Sequence, residues 1–207
     1  MDSPVAKLVQ EGVLLEFDAT FQLDDRSPDP EGAIADLMAA LTLLPWDIAA
    51  VMPGAETGVE LADVLSNRLG VASNGEDLSL CRRNKHLMGE QASVRSHGVR
   101  AVRQMLAHSW EDCEAFLVDW NPDPFKAVVK PLESAGSDDV YLCQSLDDVR
   151  EAFSTIDGKV NGLGGVNEGA LIQEYLDGTE YVVDTVSRGG VHRVCAIWEY
   201  DKRSVNG

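Results

Sequence analysis

The 207 residues carry 35 acidic and 17 basic side chains, a formal charge of −18, with 44% of the chain hydrophobic. That is enough apolar matter for one large domain or two small ones. The charge argues against nucleic acid and anionic membrane surfaces as partners, because both need Lys and Arg to displace phosphate counterions. An anionic small ligand must therefore find its cations locally, which gives the few lysines diagnostic weight. Cys81, Cys113, Cys143 and Cys195 are too far apart for a zinc cluster and read as reduced, semi-buried thiols. No apolar run reaches the length of a membrane span, and the first residues lack a basic segment followed by an apolar core, so a cytoplasmic location is expected.

In chain order, Val13 to Phe17 is a candidate strand and Asp24 to Pro30 a polar loop. Ile34, Leu37, Met38 and Leu41 recur at helical spacing up to Pro45, and Ile48 to Met52 is a short buried-type strand. Pro53 to Gly58 forms a tight loop after that strand, and Val59 to Leu69 a helix stopped by Gly70. Strand, glycine loop and helix in succession are the pattern of a parallel sheet. Its loop stands where open α/β sheets hold ligands, although the same glycines serve equally well as a plain turn.

Ser79 to His97 reads as one helix, with Arg82, Arg83 and Lys85 as a local basic cluster that would ordinarily be a solvated face. Ser109-x-x-Asp112 and Ser145-x-x-Asp148 are capping boxes, opening helices to about Val118 and Ile156. Between them, Ala127 to Lys130 and Val140 to Cys143 pair as a hairpin around a small-residue turn. The five glycines in 157–169 predict a mobile loop. Leu171 to Tyr175 is a strand, and Tyr181 to Ser187 with Val191 to Tyr200 a hairpin turning at Gly189-Gly190.

Neither G-x-x-x-x-G-K-[ST] nor G-x-G-x-x-G occurs, which disfavours the two commonest nucleotide folds. A different cradle is available. Lys130, ending a strand, can aim a compact ammonium at a phosphate. The turn bearing Ser134, Gly136 and Ser137 can close hydroxyls and bare N–H groups over it. The strand edge Gln173-Glu174-Tyr175-Leu176 can offer alternating C=O and N–H groups to an adenine, and Glu180 can accept from ribose hydroxyls. Singly, each has a bland reading: a lysine before proline, an ordinary turn, a core strand.

In series, Arg82-Arg83-Asn84-Lys85, Val129-Lys130-Pro131, Ser134-Ala135-Gly136-Ser137, Gln173-Glu174-Tyr175-Leu176 and Gly178-Thr179-Glu180-Tyr181 resemble the ATP-grasp superfamily. The likeness is to its carboxylate–amine ligases, of the L-amino-acid ligase type, over roughly residues 46–204. Gly54-x-Glu56-x-Gly58-Val59-Glu60 resembles the Rossmann-like domain preceding that core. The resemblance implies an α/β fold, α+β in its second part. Residues 1–78 would be a partial preATP-grasp Rossmann-like domain and 79–207 an incomplete ATP-grasp fold.

It implies, further, that Lys85 and Lys130 hold the α- and β-phosphates of ATP under a flexible covering loop, 134–138, which contains Ser134, Gly136 and Ser137. Glu174, with the backbone of Tyr175 and Leu176, would take the adenine, and Glu180 the ribose. Substrates would be a small-molecule carboxylate and an amine, both amino-acid-like. Mg2+ ligands in this family follow the hairpin, so Glu199, Asp201 and Asn206 stand too early and the metal site is expected outside this chain. A fragment truncated at both ends, binding ATP weakly, is the expectation. The alternatives are a non-catalytic ATP-binding or interaction module and a homo-oligomer formed through an open sheet edge.

Overall fold

The computed structural model describes residues 17–24, 27–94, 98, 100–134 and 136–201. The chain divides into two compact units, Met1–Ser79 and Leu80–Gly207. In the first, helix α1 (Pro30–Thr42) starts where the Asp29 carboxylate accepts from Gly32 N–H at 2.9 Å, with Pro30 ready-shaped for the first turn. Helix α2 (Val59–Arg68) follows a single 3-10 turn, Glu56–Gly58, and buries Ala62, Asp63, Leu65 and Ser66. The Asp63 carboxylate accepts from the Ser79 hydroxyl at 2.6 Å, and Arg68 pairs with Glu31 at 2.7 Å, tying α2 to α1.

Two expectations for this unit need correction or fall outside it. Ile48 to Met52 is not a strand: it runs without a ladder partner among the described residues, and the Met52 side chain is 83% exposed. A short apolar run specifies burial only when neighbouring strands supply its backbone partners, and none does so here. The loop and helix of the supposed crossover are present without their strand. Of the candidate strand Val13 to Phe17, residues 13–16 lie outside the described residues.

The second unit opens with a 3-10 turn (Leu80–Arg82) and helix α3 (Lys85–Val94). The single helix expected over Ser79 to His97 is broken at Asn84, whose side-chain oxygen accepts from Leu87 N–H at 3.0 Å and begins a new helix. Residues 95–97 lie outside the described residues. Strands β1 (Gln104–Ala107), β2 (Ala127–Lys130), β3 (Tyr141–Cys143) and β4 (Ala170–Glu174) form one sheet in the order β1-β4-β2-β3, every pair antiparallel. Helices α4 (Trp110–Trp120) and α5 (Leu146–Ile156) pack with it in one core.

Ser109 and Asp112 exchange both bonds of a capping box at the start of α4, and Ser145 accepts from Asp148 N–H at the start of α5. Along β2 the pleat sends Ala127 and Val129 into the core with Cys113, Val149 and Ile156. Val128 and Lys130 go to the opposite face, beside their β4 partners Gln173 and Leu171. A hairpin of β5 (Tyr181–Arg188) and β6 (Val191–Glu199) forms a separate two-stranded sheet, turning at Gly189 and Gly190, both with positive φ.

Residues 157–169 are not the loose segment that five glycines predicted. Val160 and Val166 form a bridge, and two buried asparagines cross-tie the loop. Asn161 accepts from the N–H groups of Leu163 and Gly165, and its amide N–H donates to Asn167 at 3.0 Å. Asn167 in turn donates to the Ile156 carbonyl. Buried amides that satisfy each other and the backbone hold an irregular segment in one shape.

The loop ends at Gly169, whose N–H donates to Asp157 and whose φ is +99°; a Cβ there would meet the Ala107 carbonyl oxygen at 2.3 Å. Gly169→Ala is expected to destabilise the unit by on the order of 3 kcal/mol, through backbone strain and that clash. Gly165→Ala, which meets only ordinary contacts at 3.5 Å or more, should stay within about 0.5 kcal/mol of the parent. Urea unfolding of the two variants checks both.

Candidate nucleotide-binding site

Two cavities open on the face of the sheet opposite α5 and share Lys130, Ser137 and Val140 as wall residues. The smaller, about 240 Å3, is bounded by Lys85, Lys130, Pro131, Ser134, Gly136 and Asp138 as well. The larger, about 610 Å3, reaches along the end of β4 past Gln173, Glu174, Tyr175 and Leu176 to Glu180 and Tyr200. All nine residues singled out from the sequence border one cavity or the other. Ala135, in the same turn, lies outside the described residues.

The smaller cavity is electropositive for a reason visible in its wall. Lys85, in the first turn of α3, donates its ammonium to the carbonyls of Ser134 at 2.8 Å and Leu132 at 3.2 Å. Lys130 projects from the end of β2 and forms no ion pair with any described residue. Burial, and secondarily the Lys85 ammonium, push its pKa below the ordinary 10.5. Two ammonium groups near enough to disfavour each other's charge create a place that gains from an anion. The turn over them contains Gly136 and Ser137, both left-handed, with φ of 69° and 62°. Glycine takes that conformation without penalty, and its missing Cβ lets backbone come close to a ligand.

The larger cavity differs from expectation in one respect. The Glu174 carboxylate is committed to the protein: it accepts from the Arg100 guanidinium and from Arg103 N–H, each at 2.8 Å. Burial raises its pKa, but the Arg103 N–H and the Arg100 charge outweigh that and leave it below the ordinary carboxylate value. Its neighbour Gln173, read from the sequence only as part of the strand edge and not for its side chain, is buried in the wall, and its amide N–H donates to Gln104 at 2.6 Å. Gln104 in turn donates to the His86 carbonyl at 2.7 Å. A polar residue at the sheet-facing position of an otherwise apolar strand, Ala-Leu-Ile-Gln, was the available signal. Asp138 belongs to the 134–138 turn read from the sequence, but its side chain was given no role there.

Tyr175 stacks beneath the Lys126 ammonium, 5.3 Å from the ring centre, and Lys126 pairs with Asp177 at 2.9 Å. The Glu180 carbonyl accepts from Tyr200 N–H at 2.8 Å, tying the site to the end of the β5–β6 hairpin. The thiols of Cys113 and Cys143 lie in the core, raised by burial to about 12 and about 11, whereas Cys195 is exposed rather than semi-buried.

No protein-family model matches the chain. Dapdiamide A synthase of Enterobacter agglomerans is 35% identical over 184 residues, which is 88% of this chain and 42% of that protein. The chain is a homologue of the ATP-grasp ligases. Solved structures agree on the fold. An L-amino acid ligase from Bacillus licheniformis superposes with a TM-score of 0.60 at 19% identity, over 83% of this chain and 37% of that one. A D-alanine-D-alanine ligase from Coxiella burnetii gives 0.57 at 13% identity, over 86% and 56%. The chain thus spans less than half the length of the curated relative it matches.

ATP-grasp kinship raises the question of Mg2+, and the side chains of the described residues do not fit the ion. Among the described residues no group of three His, Cys, Asp or Glu converges to hold a metal. No helix among them is long and apolar enough to cross a membrane.

The lowered pKa of Lys130 carries a sign that can be tested. Below its folded value the charged amine weakens the fold. As pH rises from there toward 10.5 the unfolded chain holds the extra proton, so this penalty fades and stability gains. Lys85→Met removes the second charge and is expected to raise the Lys130 pKa toward 10.5, read by NMR titration of the lysine ammonium groups.

Proposed function

We propose that the chain is the ATP-binding part of an ATP-dependent carboxylate–amine ligase that forms an amide or peptide bond. The observation that carries this reading is the pair Lys85 and Lys130, on separate elements, converging on a cavity continuous with a second one at the end of β4. In this reading residues 1–78 are a partial Rossmann-like preATP-grasp domain and 79–207 an incomplete ATP-grasp fold.

The two lysines take the α- and β-phosphates, where an ammonium in a partly dry wall interacts more strongly than in water. Ser134, Gly136 and Ser137 close over them. The larger cavity takes the nucleoside. Gln173 and the backbone of Glu174, Tyr175 and Leu176 meet the adenine edge, and Glu180 the ribose hydroxyls. The Glu174 carboxylate serves the site indirectly, by fixing the β4 end against Arg100 and Arg103.

In the reaction so proposed, a substrate carboxylate oxygen attacks the γ-phosphorus and ADP leaves. The amine nitrogen then attacks the carbonyl carbon of the acyl phosphate, expelling phosphate and losing its proton. Mg2+, with ligands proposed to lie outside this chain, would neutralise charge on the transferring group. The contribution of the residues present is binding and alignment. The two amino-acid-like substrates follow from the kinship with dapdiamide A synthase and L-amino acid ligase.

Titration calorimetry with ATP tests the assignment. Lys130→Ala is expected to weaken binding by roughly ten-fold or more, the scale of losing a charge-assisted contact. Equal affinity in the parent and the variant would overturn it.

A further inference from the structure

One acidic side chain stands in the wall of a cavity that otherwise favours anions. Asp138 borders the smaller cavity together with Lys85 and Lys130. A carboxylate there opposes a phosphate unless its charge is already engaged, and it is. The Asp138 Oδ2 accepts from the Ser134 hydroxyl across the turn, at 2.7 Å, and from Gly162 N–H of the 157–169 loop, also at 2.7 Å. Those donors hold the carboxyl below its ordinary pKa, the Gly162 N–H most strongly.

Two further ties run alongside. Asn161 donates to the Glu133 carbonyl at 3.0 Å, and Lys159 pairs with Asp139 at 2.5 Å while Tyr141 donates its hydroxyl to the same carboxylate. The turn needs holding from outside, because Ser137 and Asp139 are non-glycine residues with φ of 62° and 49°. The loop that does the holding is itself cross-tied through Asn161 and Asn167.

We infer that Asp138 is a positioning residue for the nucleotide phosphates: it links the 134–138 turn to the backbone of the 157–169 loop and sets the height of Ser134, Gly136 and Ser137 above the two lysines. The inference rests on the nucleotide reading above. It assigns the glycine-rich segment a task, as the rigid backing of the phosphate-covering turn, in place of mobility.

The test compares ATP and adenosine binding to the full chain and its variants by calorimetry. Asp138→Ala cuts both hydrogen bonds and is expected to weaken ATP by roughly ten-fold while adenosine stays within about two-fold. Asp138→Asn keeps an oxygen that accepts from both Ser134 and Gly162, and is expected to hold ATP affinity within about three-fold of the parent. Lys159→Ala, which severs a neighbouring tie, should give an intermediate loss confined to ATP.

Unchanged ATP affinity in Asp138→Ala overturns the inference, as does a parallel loss of adenosine, which marks damage to the fold. Tighter ATP binding in both Asp138 variants overturns it too, since the carboxylate would then act only by repelling phosphate. An Asp138→Asn variant as weak as Asp138→Ala has the same force. ATP binding that depends on Lys130 but not on Asp138 leaves the nucleotide reading standing and removes this inference alone. A parent chain that binds neither ligand removes both.

Discussion

The two-residue period of β2 decides where the site can be. With Ala127 and Val129 committed to the core beside Cys113 and Ile156, Lys130 has no choice but the opposite face. A slip of one position would put an ammonium among fully buried apolar side chains, a cost no neighbour there offsets. Pairing with β4 then places Gln173 across from Val128 on that same face, so one register sets both ends of the proposed nucleotide site together. Everything else in the site is arranged around these two strands.

Around that frame the electrostatics are local. A chain of −18 repels a nucleotide at long range. It is the concentration of Lys85 and Lys130 in one small cavity that makes an anion welcome. Lys85 reaches the cavity because Asn84 starts a helix just before it, and its ammonium caps the carbonyls of Leu132 and Ser134. The same contact steadies the turn from beneath, so this lysine both supplies charge and supports the loop.

How far the molecule could be read from sequence depended on whether the controlling interactions were local. The Ser109 box, the β2–β3 pair and the Gly189-Gly190 hairpin were legible because each is specified within its own short stretch of chain by capping, alternation or turn chemistry. Ile48 to Met52 failed because strand identity depends on partners the run does not contain. The helix over Ser79 to His97 failed because apolar spacing continues across Asn84, while the cap that breaks it is a single side chain. In 157–169 the glycines were conspicuous and the two asparagines that order them were not. Within the cavities, Lys85, Lys130 and the turn could be picked out as a series. The ties of Glu174 to Arg100 and of Gln173 to Gln104 could not, since those partners stand roughly seventy positions away in sequence.

The amide thread from α3 to β4 has a directional consequence. A carbonyl only accepts, so His86 obliges Gln104 to turn its amino group toward it, and Gln104 is left with its oxygen facing Gln173. Gln173 must answer with its own amino group, which leaves its oxygen as the atom of that amide without a protein partner among the described residues. Reversing Gln104 would set like against like at two contacts at once, and reversing Gln173 would do so at one. The polarity of the cavity wall is thus dictated by one peptide group of a distant helix. The wall shows an acceptor, which under the nucleotide reading proposed above would face an exocyclic amine rather than a carbonyl.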